Sequence, residues 1–232
     1  MMSIIAEKVS EVRQEISRCE QLAVREPGSV TLLAVSKTRK SDELREAYAA
    51  GQRLFGENYL QEAQQKMQEL SDLPLEWHFI GPIQSNKTRP IAEAFDWVHS
   101  VDRLKIAQRL SEQRPADRGD LNICLQVNIS DEANKAGCSE AETSVLAEQI
   151  AALPHLRLRG LMAIPEATDD PATQRQAFAR MRALFEQVRE RVPTLDTLSM
   201  GMSGDLEAAI TEGSTMVRIG TALFGPRPKT RT

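Results

Sequence analysis

The sequence predicts an α/β protein built as a single (β/α)8 TIM barrel with one extra helix at its N-terminus. Three observations carry that reading. Eight short aliphatic runs recur along the chain, and each after the first is separated from its predecessor by a helical pattern. The 232 residues are close to the length such a barrel needs, with no linker, repeat or low-complexity segment to divide them, so one domain over residues 1–232 is expected. No early G-x-G-x-x-G is present, which disfavours the rival architecture, an open doubly wound sheet.

Residues 3–25 place Ile5, Val9, Val12, Ile16, Cys19 and Ala23 on one helical stripe, ended by Pro27 and Gly28. The first strand follows at about 30–36, and its run Leu-Leu-Ala-Val at 32–35 marks a strand buried on both faces. Ser41 and Asp42 cap a helix through Ala50, which Gly51 stops. A strand near 53–56 leads through Glu57, Asn58 and Tyr59 into a helix to about Leu70. Residues 76–80 form the third strand, ended by Gly81 and Pro82, and residues 84–87 open the next helix. The fourth strand is 95–100, and Asp102 begins a helix that stops before Pro115. Residues 121–129 are the longest strand candidate, followed by a loop at 130–137 and a helix at 139–152. Residues 156–164 are the sixth strand. Asp170 and Pro171 then start a long helix with Ala177, Phe178, Met181, Leu184, Phe185 and Val188 on one face. Strands at 194–200 and 215–219 flank a helix at 205–211, and a final turn covers 220–225.

Composition bounds the function classes. With 41% hydrophobic and 27% charged residues the chain reads as a soluble globular protein, and its net charge of −4 gives no general electrostatic case for nucleic acid or anionic membranes. Cys19, Cys124 and Cys138 are odd in number and widely spaced, which argues against a disulfide framework or a cysteine-built zinc site and fits a reducing cytosol. The N-terminus turns acidic at once, and no run reaches membrane-spanning length. A cytoplasmic location is expected.

The residues suited to chemistry converge once the barrel is closed. Lys37 stands where the first buried strand opens into a loop, among Ser36, Thr38, Arg39 and Lys40, and α/β folds place their chemistry at that end of a strand. An amine partly desolvated there disfavours its ammonium form and attacks carbonyls. The plain alternative is a surface lysine in a strand-end loop. Closure sets strand eight beside strand one, so Arg218 approaches Lys37 and disfavours the ammonium further. The loops after strands seven and eight, the usual phosphate site of this fold, hold Gly201, Ser203 and Gly204 before a helix start, then Gly220 and Thr221. Glycines admit backbone N–H groups to a phosphate and hydroxyls donate to it, although glycine at a strand end is also ordinary turn chemistry. A phosphate-bearing aldehyde is the ligand that uses all of these groups. Pyridoxal 5′-phosphate (PLP) needs an amine for its aldehyde, a partner for its ring nitrogen and an anion cradle.

Six segments sharpen this reading: L-L-A-V-S-K-T at 32–38, F-G-E-N-Y at 55–59, W-H-F-I-G-P-I-Q-S-N-K at 77–87, R-G-L-M-A-I at 159–164, L-S-M-G-M-S at 198–203 and V-R-I-G-T-A-L-F-G at 217–225. In order and over nearly the whole chain they closely resemble the pyridoxal-phosphate homeostasis protein family, single-domain barrels similar to the alanine racemase N-terminal domain. The resemblance implies a PLP-binding protein of intracellular PLP homeostasis or carriage rather than an enzyme. It implies that Lys37 forms the internal aldimine, that Asn58 lines the cofactor pocket, that Ser203, Gly220 and Thr221 hold the phosphate, and that Arg218 faces the pyridine nitrogen. Lys135, in N-I-S-D-E-A-N-K-A-G, matches a family loop lysine linked to cofactor exchange. One departure is Gly204, where family members often carry an acidic residue, and it leaves that loop's other duties open.

Other candidates carry less. His78 and His99 on strands and His155 in a connection do not cluster in sequence, so structural roles are expected ahead of metal binding. Glu57 and Asp205 are candidate bases, but a carboxylate near a loop is more often a cap or a solvated charge. Lys87 is either a pocket-rim cation or a surface lysine at a helix start, and Cys124 is expected to be packed. Three functions remain in competition: a PLP carrier, a PLP-dependent amino-acid racemase, and a Schiff-base aldolase barrel without cofactor, which alone would be colourless. Arginine does not act as an acid at the ring nitrogen, its pKa exceeding about 12, so the ring stays a weak electron sink. Racemisation also needs a second acid or base opposite the lysine, which in alanine racemase is a tyrosine of a separate C-terminal domain. This chain ends seven residues after Gly225 and has only Tyr48 and Tyr59. The carrier reading is preferred, with a monomer as the expected state and PLP-dependent apo-enzymes as expected partners.

Overall fold

The computed structural model describes residues 3–130 and 135–226. The chain opens with α1 (Ile4–Leu22), which forms because Ser3 caps it and Ile5, Val9, Val12, Ile16 and Cys19 fall on one buried stripe. Eight strand–helix units follow: β1 (Thr31–Val35) and α2 (Ser41–Ala49), β2 (Leu54–Glu57) and α3 (Leu60–Glu69), β3 (Glu76–Phe79) and α4 (Thr88–Ala94), β4 (Trp97–Val101) and α5 (Leu104–Gln113). The second half adds β5 (Leu121–Gln126) and α6 (Glu140–Ala151), β6 (Leu156–Met162) and α7 (Pro171–Arg191), β7 (Thr197–Ser199) and α8 (Leu206–Thr211), β8 (Met216–Ile219) and α9 (Thr221–Phe224).

The strands form the closed barrel the sequence predicts. Each pairs in parallel with the next, and β8 returns to β1 with Arg218 opposite Leu33 and Ile219 opposite Ala34. Parallel strands covered by helices must be apolar on both faces, and β4 is buried at every position. Outside the β8–β1 seam, α1 packs against α2, α8 and α9. Its last turn carries the buried Glu20, whose carboxylate accepts the N–H groups of Gly28 (3.0 Å) and Val30 (2.8 Å) and so braces the entry to β1. In α7 the Asp170 carboxylate accepts the Thr173 N–H at 3.0 Å and Pro171 takes the first position, which is the start expected from sequence.

Most boundaries shift by one or two residues from the sequence reading, and three differences have a clear physical reason. Ser41 is the first helical residue rather than a cap; Lys40 holds the cap position, and its N–H donates to the Glu43 carboxylate at 2.8 Å. The segment 121–129 is not the longest strand, because β5 stops at Gln126 where the backbone turns to exchange hydrogen bonds with Cys138; the seven-residue β6 is longer. The segment 194–200 shrinks to the three residues of β7, since Leu195 is held in a turn by its N–H bond to the Val192 carbonyl. Among the described residues, no helix is long and apolar enough to cross a membrane.

Candidate functional site

At the C-terminal ends of β1, β7 and β8 lies a cavity of about 260 Å³, lined by Val35, Lys37, Arg39, Met202, Ser203, Gly204, Arg218, Gly220 and Thr221. Five of the seven residues singled out in the sequence therefore meet at one mouth: Lys37, Ser203, Arg218, Gly220 and Thr221. Asn58 and Lys135 lie outside that lining. Asn58 follows β2 half-buried, with its Oδ1 buried and without a hydrogen-bond partner among the described residues. Its backbone is approached so closely by Gly81 that a Cβ there would stand 2.2 Å from the Asn58 carbonyl oxygen. Lys135 is half-buried beyond β5, and of the loop 130–137 that precedes the next helix, residues 131–134 lie outside the described residues.

The backbone on both sides of Lys37 is pinned. Ser36 is buried; its N–H donates to the Gly56 carbonyl at 3.0 Å and its hydroxyl to Glu57 Oε1 at 2.6 Å. From α3, the buried Lys66 ammonium donates to the Ser36 carbonyl (2.7 Å), to Glu57 Oε1 (2.7 Å) and to Glu62 Oε1 (2.6 Å). That same Glu62 oxygen accepts the Thr38 N–H at 2.5 Å. Thr38 stands at φ +64°, a left-handed conformation that a β-branched residue rarely adopts. Residues kept in such regions cost about 1–3 kcal/mol and persist only where the surroundings over-determine them, which the Ser36–Lys66–Glu62 bonds do. Lys37 itself is half-buried at the top of this clasp.

Glu57 is thus neither a cap nor a solvated charge: it is the buried partner of Lys66, in a pair that sequence separation hid. Burial pushes its carboxyl above the usual range while Lys66 pulls it back, and its Oε2 has no hydrogen-bond partner among the described residues.

Arg218 forms the floor of the cavity. It is buried, its Nη2 donates to the Ala163 carbonyl at 2.9 Å and its Nη1 to the Ser199 hydroxyl at 2.7 Å. Burial pushes its pKa down to about 10, against the pull of Asp205 and Cys124, so it remains a cation at neutral pH. Behind it, Ser199 Oγ lies 2.9 Å from His99 Nδ1, His99 Nε2 lies 2.8 Å from His78 Nδ1, and His78 Nε2 lies 2.8 Å from Glu76 Oε1. Two histidines that do not cluster in sequence are therefore joined in the fold, and no group of three metal-ligating side chains occurs among the described residues. Burial holds both imidazoles below their ordinary pKa. Cys124 is packed as expected, against Trp97 and Met162, with its thiol pushed up to about 12 by burial.

Arg39, noted in the sequence only as a neighbour of Lys37, also lines the cavity. Its guanidinium is buried and donates to the carbonyls of Phe224 (3.0 Å) and Gly225 (2.5 Å), tying the lysine loop to α9. The glycines divide into two kinds. Gly201 has φ +102°, a Cβ on it would lie 2.6 Å from the Ala209 Cβ, and its carbonyl accepts the Arg218 N–H at 2.9 Å. Gly204, the departure from the family pattern, faces open space. Asp205 accepts the Met202 N–H at 2.6 Å in the cap position of α8, so it braces this loop, and burial pushes its carboxyl up. Lys87 lies outside the cavity lining.

Residues 8–228 match the family described as alanine racemase, N-terminal domain, which defines the class of barrel. The chain is 65% identical over 226 residues to a pyridoxal phosphate homeostasis protein of Pseudomonas aeruginosa, covering 97% of each sequence. Among solved structures, PipY of Synechococcus elongatus PCC7942 with PLP bound has a TM-score of 0.83 at 40% identity, covering 95% of this chain and 100% of that one. Alanine racemase from Corynebacterium glutamicum shares the fold alone, with a TM-score of 0.69 at 20% identity, over 98% of this chain and 62% of the racemase. This chain belongs to the pyridoxal phosphate homeostasis protein family.

Proposed function

We propose that this chain binds PLP at the barrel mouth and serves in its intracellular homeostasis or carriage without turning over amino acids. The observation that carries this reading is the donor set of the cavity: one amine, two guanidinium groups, two hydroxyls and glycine backbone, with no carboxylate in the lining. Such a set fits a small anion that carries a carbonyl. The volume, just under the range of roughly 300–1,000 Å³ usual for ligand pockets, suits a single ring. The name of the Pseudomonas relative and the PLP bound in PipY support the same reading.

PLP, when bound, supplies an aldehyde that a primary amine captures. Lys37 is the amine, held at the mouth by the clasp around Ser36 and Thr38. Ser203, Thr221 and the Gly220 backbone hold the phosphate. Arg218 holds the ring-nitrogen side as a fixed cation and gives up no proton there at neutral pH. Asn58 contributes the Oδ1 that has no hydrogen-bond partner among the described residues, and Lys135 acts in exchange. Tyr48, with the Arg53 guanidinium 3.7 Å from its ring centroid, and the exposed Tyr59 both lie outside the lining, so neither offers Lys37 an opposing acid.

The test is the visible spectrum of the purified protein before and after borohydride. A bound-cofactor band and a reduced label on Lys37, both lost in Lys37→Ala, are expected; a label on another lysine overturns the assignment. Alanine α-proton exchange in D₂O should stay near that of free PLP. Exchange far above it, and lost in Lys37→Ala, would establish a racemase instead. Size-exclusion chromatography should give a monomer, and transfer of PLP to an apo-enzyme tests the carrier role.

A further inference from the structure

Behind the cavity floor, four hydrogen bonds run in series from Arg218 to Glu76, at the opposite end of the barrel. The chain crosses from β8 to Ser199 on β7, then to His99 on β4 and His78 on β3, and ends on Glu76 at the first residue of β3. Its inner members, Ser199, His99 and His78, are all fully buried, whereas the Glu76 side chain is 41% exposed.

The two ends fix the direction of every bond. Arginine only donates and a carboxylate only accepts. Arg218 therefore gives its Nη1–H to Ser199 Oγ, which leaves the serine O–H to donate to His99 Nδ1. That nitrogen must be bare, so the His99 proton sits on Nε2 and points at His78 Nδ1. The second imidazole repeats the pattern, carrying its proton on Nε2 and donating it to Glu76. Each imidazole thus carries one proton and is neutral, as burial demands. Reversing the chain would make Ser199 accept from both Arg218 and His99, stranding its own proton with no acceptor among the described residues. Trp97 stacks on His78 with centroids 5.2 Å apart and locks that ring's plane. Other charged or titratable groups facing the chain are Asp96 and Arg159 toward the Glu76 end, and Cys124 and Asp205 toward Arg218.

We propose that Ser199, His99, His78 and Glu76 form a directionally ordered chain that holds the Arg218 guanidinium in place beneath the site, with Glu76 as the distant positioning residue that sets its order. The chain follows from the distances alone; its effect on PLP rests on the function proposed above. Non-contacting residues that bias a site in this way change affinity by roughly 2- to 30-fold.

The experiment has two parts. Nitrogen-15 NMR of histidine-labelled protein without cofactor should show His78 and His99 as neutral Nε2–H tautomers at pH 7. An Nδ1–H tautomer or an imidazolium at either position overturns the ordering. PLP affinity and the bound-cofactor spectrum are then measured for Glu76→Leu, which removes the terminal acceptor, and Glu76→Gln, which keeps one. Glu76→Leu should weaken PLP and shift the pH profile of its band, and Glu76→Gln should recover most of that loss. Equal behaviour of the two variants, or no effect of Glu76→Leu, overturns the positioning role. A wild-type protein that shows the expected tautomers but takes up no PLP would refute the proposed function and leave the ordered chain standing.

Discussion

Ser203 in the β7–α8 loop and Thr221 at the start of α9 face the same cavity, and each hydroxyl can give an anionic phosphate a charge-assisted hydrogen bond. Such bonds are typically worth about 1.5–3 kcal/mol. The Ser203→Ala, Thr221→Ala double variant should therefore bind PLP at least about tenfold more weakly while binding pyridoxal almost unchanged, as read by spectral titration with both ligands. Equal losses for the two would move the phosphate elsewhere. At this scale the sequence was legible wherever a residue type sat at a position with one physical meaning. Lys37 follows an aliphatic run, and the glycine–hydroxyl pairs follow strands. The clasp was not legible: Ser36 follows β1, Glu57 ends β2 and Lys66 lies on α3. A carboxylate at a strand end looks the same in sequence whether it meets water or a buried ammonium. The one available signal was a lysine on the buried side of a short helix, Lys66 beside Ala63 in α3.

Elements set how much each loop residue matters, and the β7–α8 loop separates two glycines cleanly. Gly201 combines a positive φ with a Cβ position 2.6 Å from Ala209 on α8. Strained backbone and overpacking each cost about 1–3 kcal/mol, so Gly201→Ala should lose roughly 2–6 kcal/mol in urea unfolding. It should also disturb Arg218, whose N–H rests on the Gly201 carbonyl. Gly204→Ala has open space and should stay within about 0.5 kcal/mol of the parent. If both variants unfold alike, α8 does not pack on this loop as described. Boundaries were legible where side chains terminate a helix, as Asp170 and Pro171 do for α7. They were misread at β5, where Val127 and Ile129 are buried yet outside the strand, and at β7, where the buried Leu195 sits in a turn before it. Hydrophobicity reports burial, and a buried residue need not belong to a strand.

Closure of the whole barrel was legible by counting, because eight strand–helix units leave little else for the chain to build, and it correctly set Arg218 beside β1. What closure then assembles inside, a polar chain drawn from β8, β7, β4 and β3, has no sequence signature, since His78 and Ser199 are 121 positions apart. That interior makes the folded state pH-sensitive. Burial holds His78 and His99 below the ordinary value of 6.5, and both are fully enclosed. A histidine whose folded pKa is depressed binds fewer protons in the native than in the unfolded state once the pH drops below 6.5. Stability is therefore complete above 6.5 and falls as the pH falls, by up to about 1.4 kcal/mol per pH unit for each ring. Glu57 and Asp205 act in the opposite sense, because burial raises their carboxyls from 4.5 and 3.8, so the wild-type slope is a sum of opposing effects. The decisive quantity is the difference made by removing one ring. His99→Gln should be less stable at every pH, having lost its packed imidazole, but its urea midpoint should decline less steeply between pH 6.5 and 4.5 than that of the parent. A parallel decline in the two proteins would mean that His99 takes up its proton without unfolding, and that the interior chain does not hold it neutral.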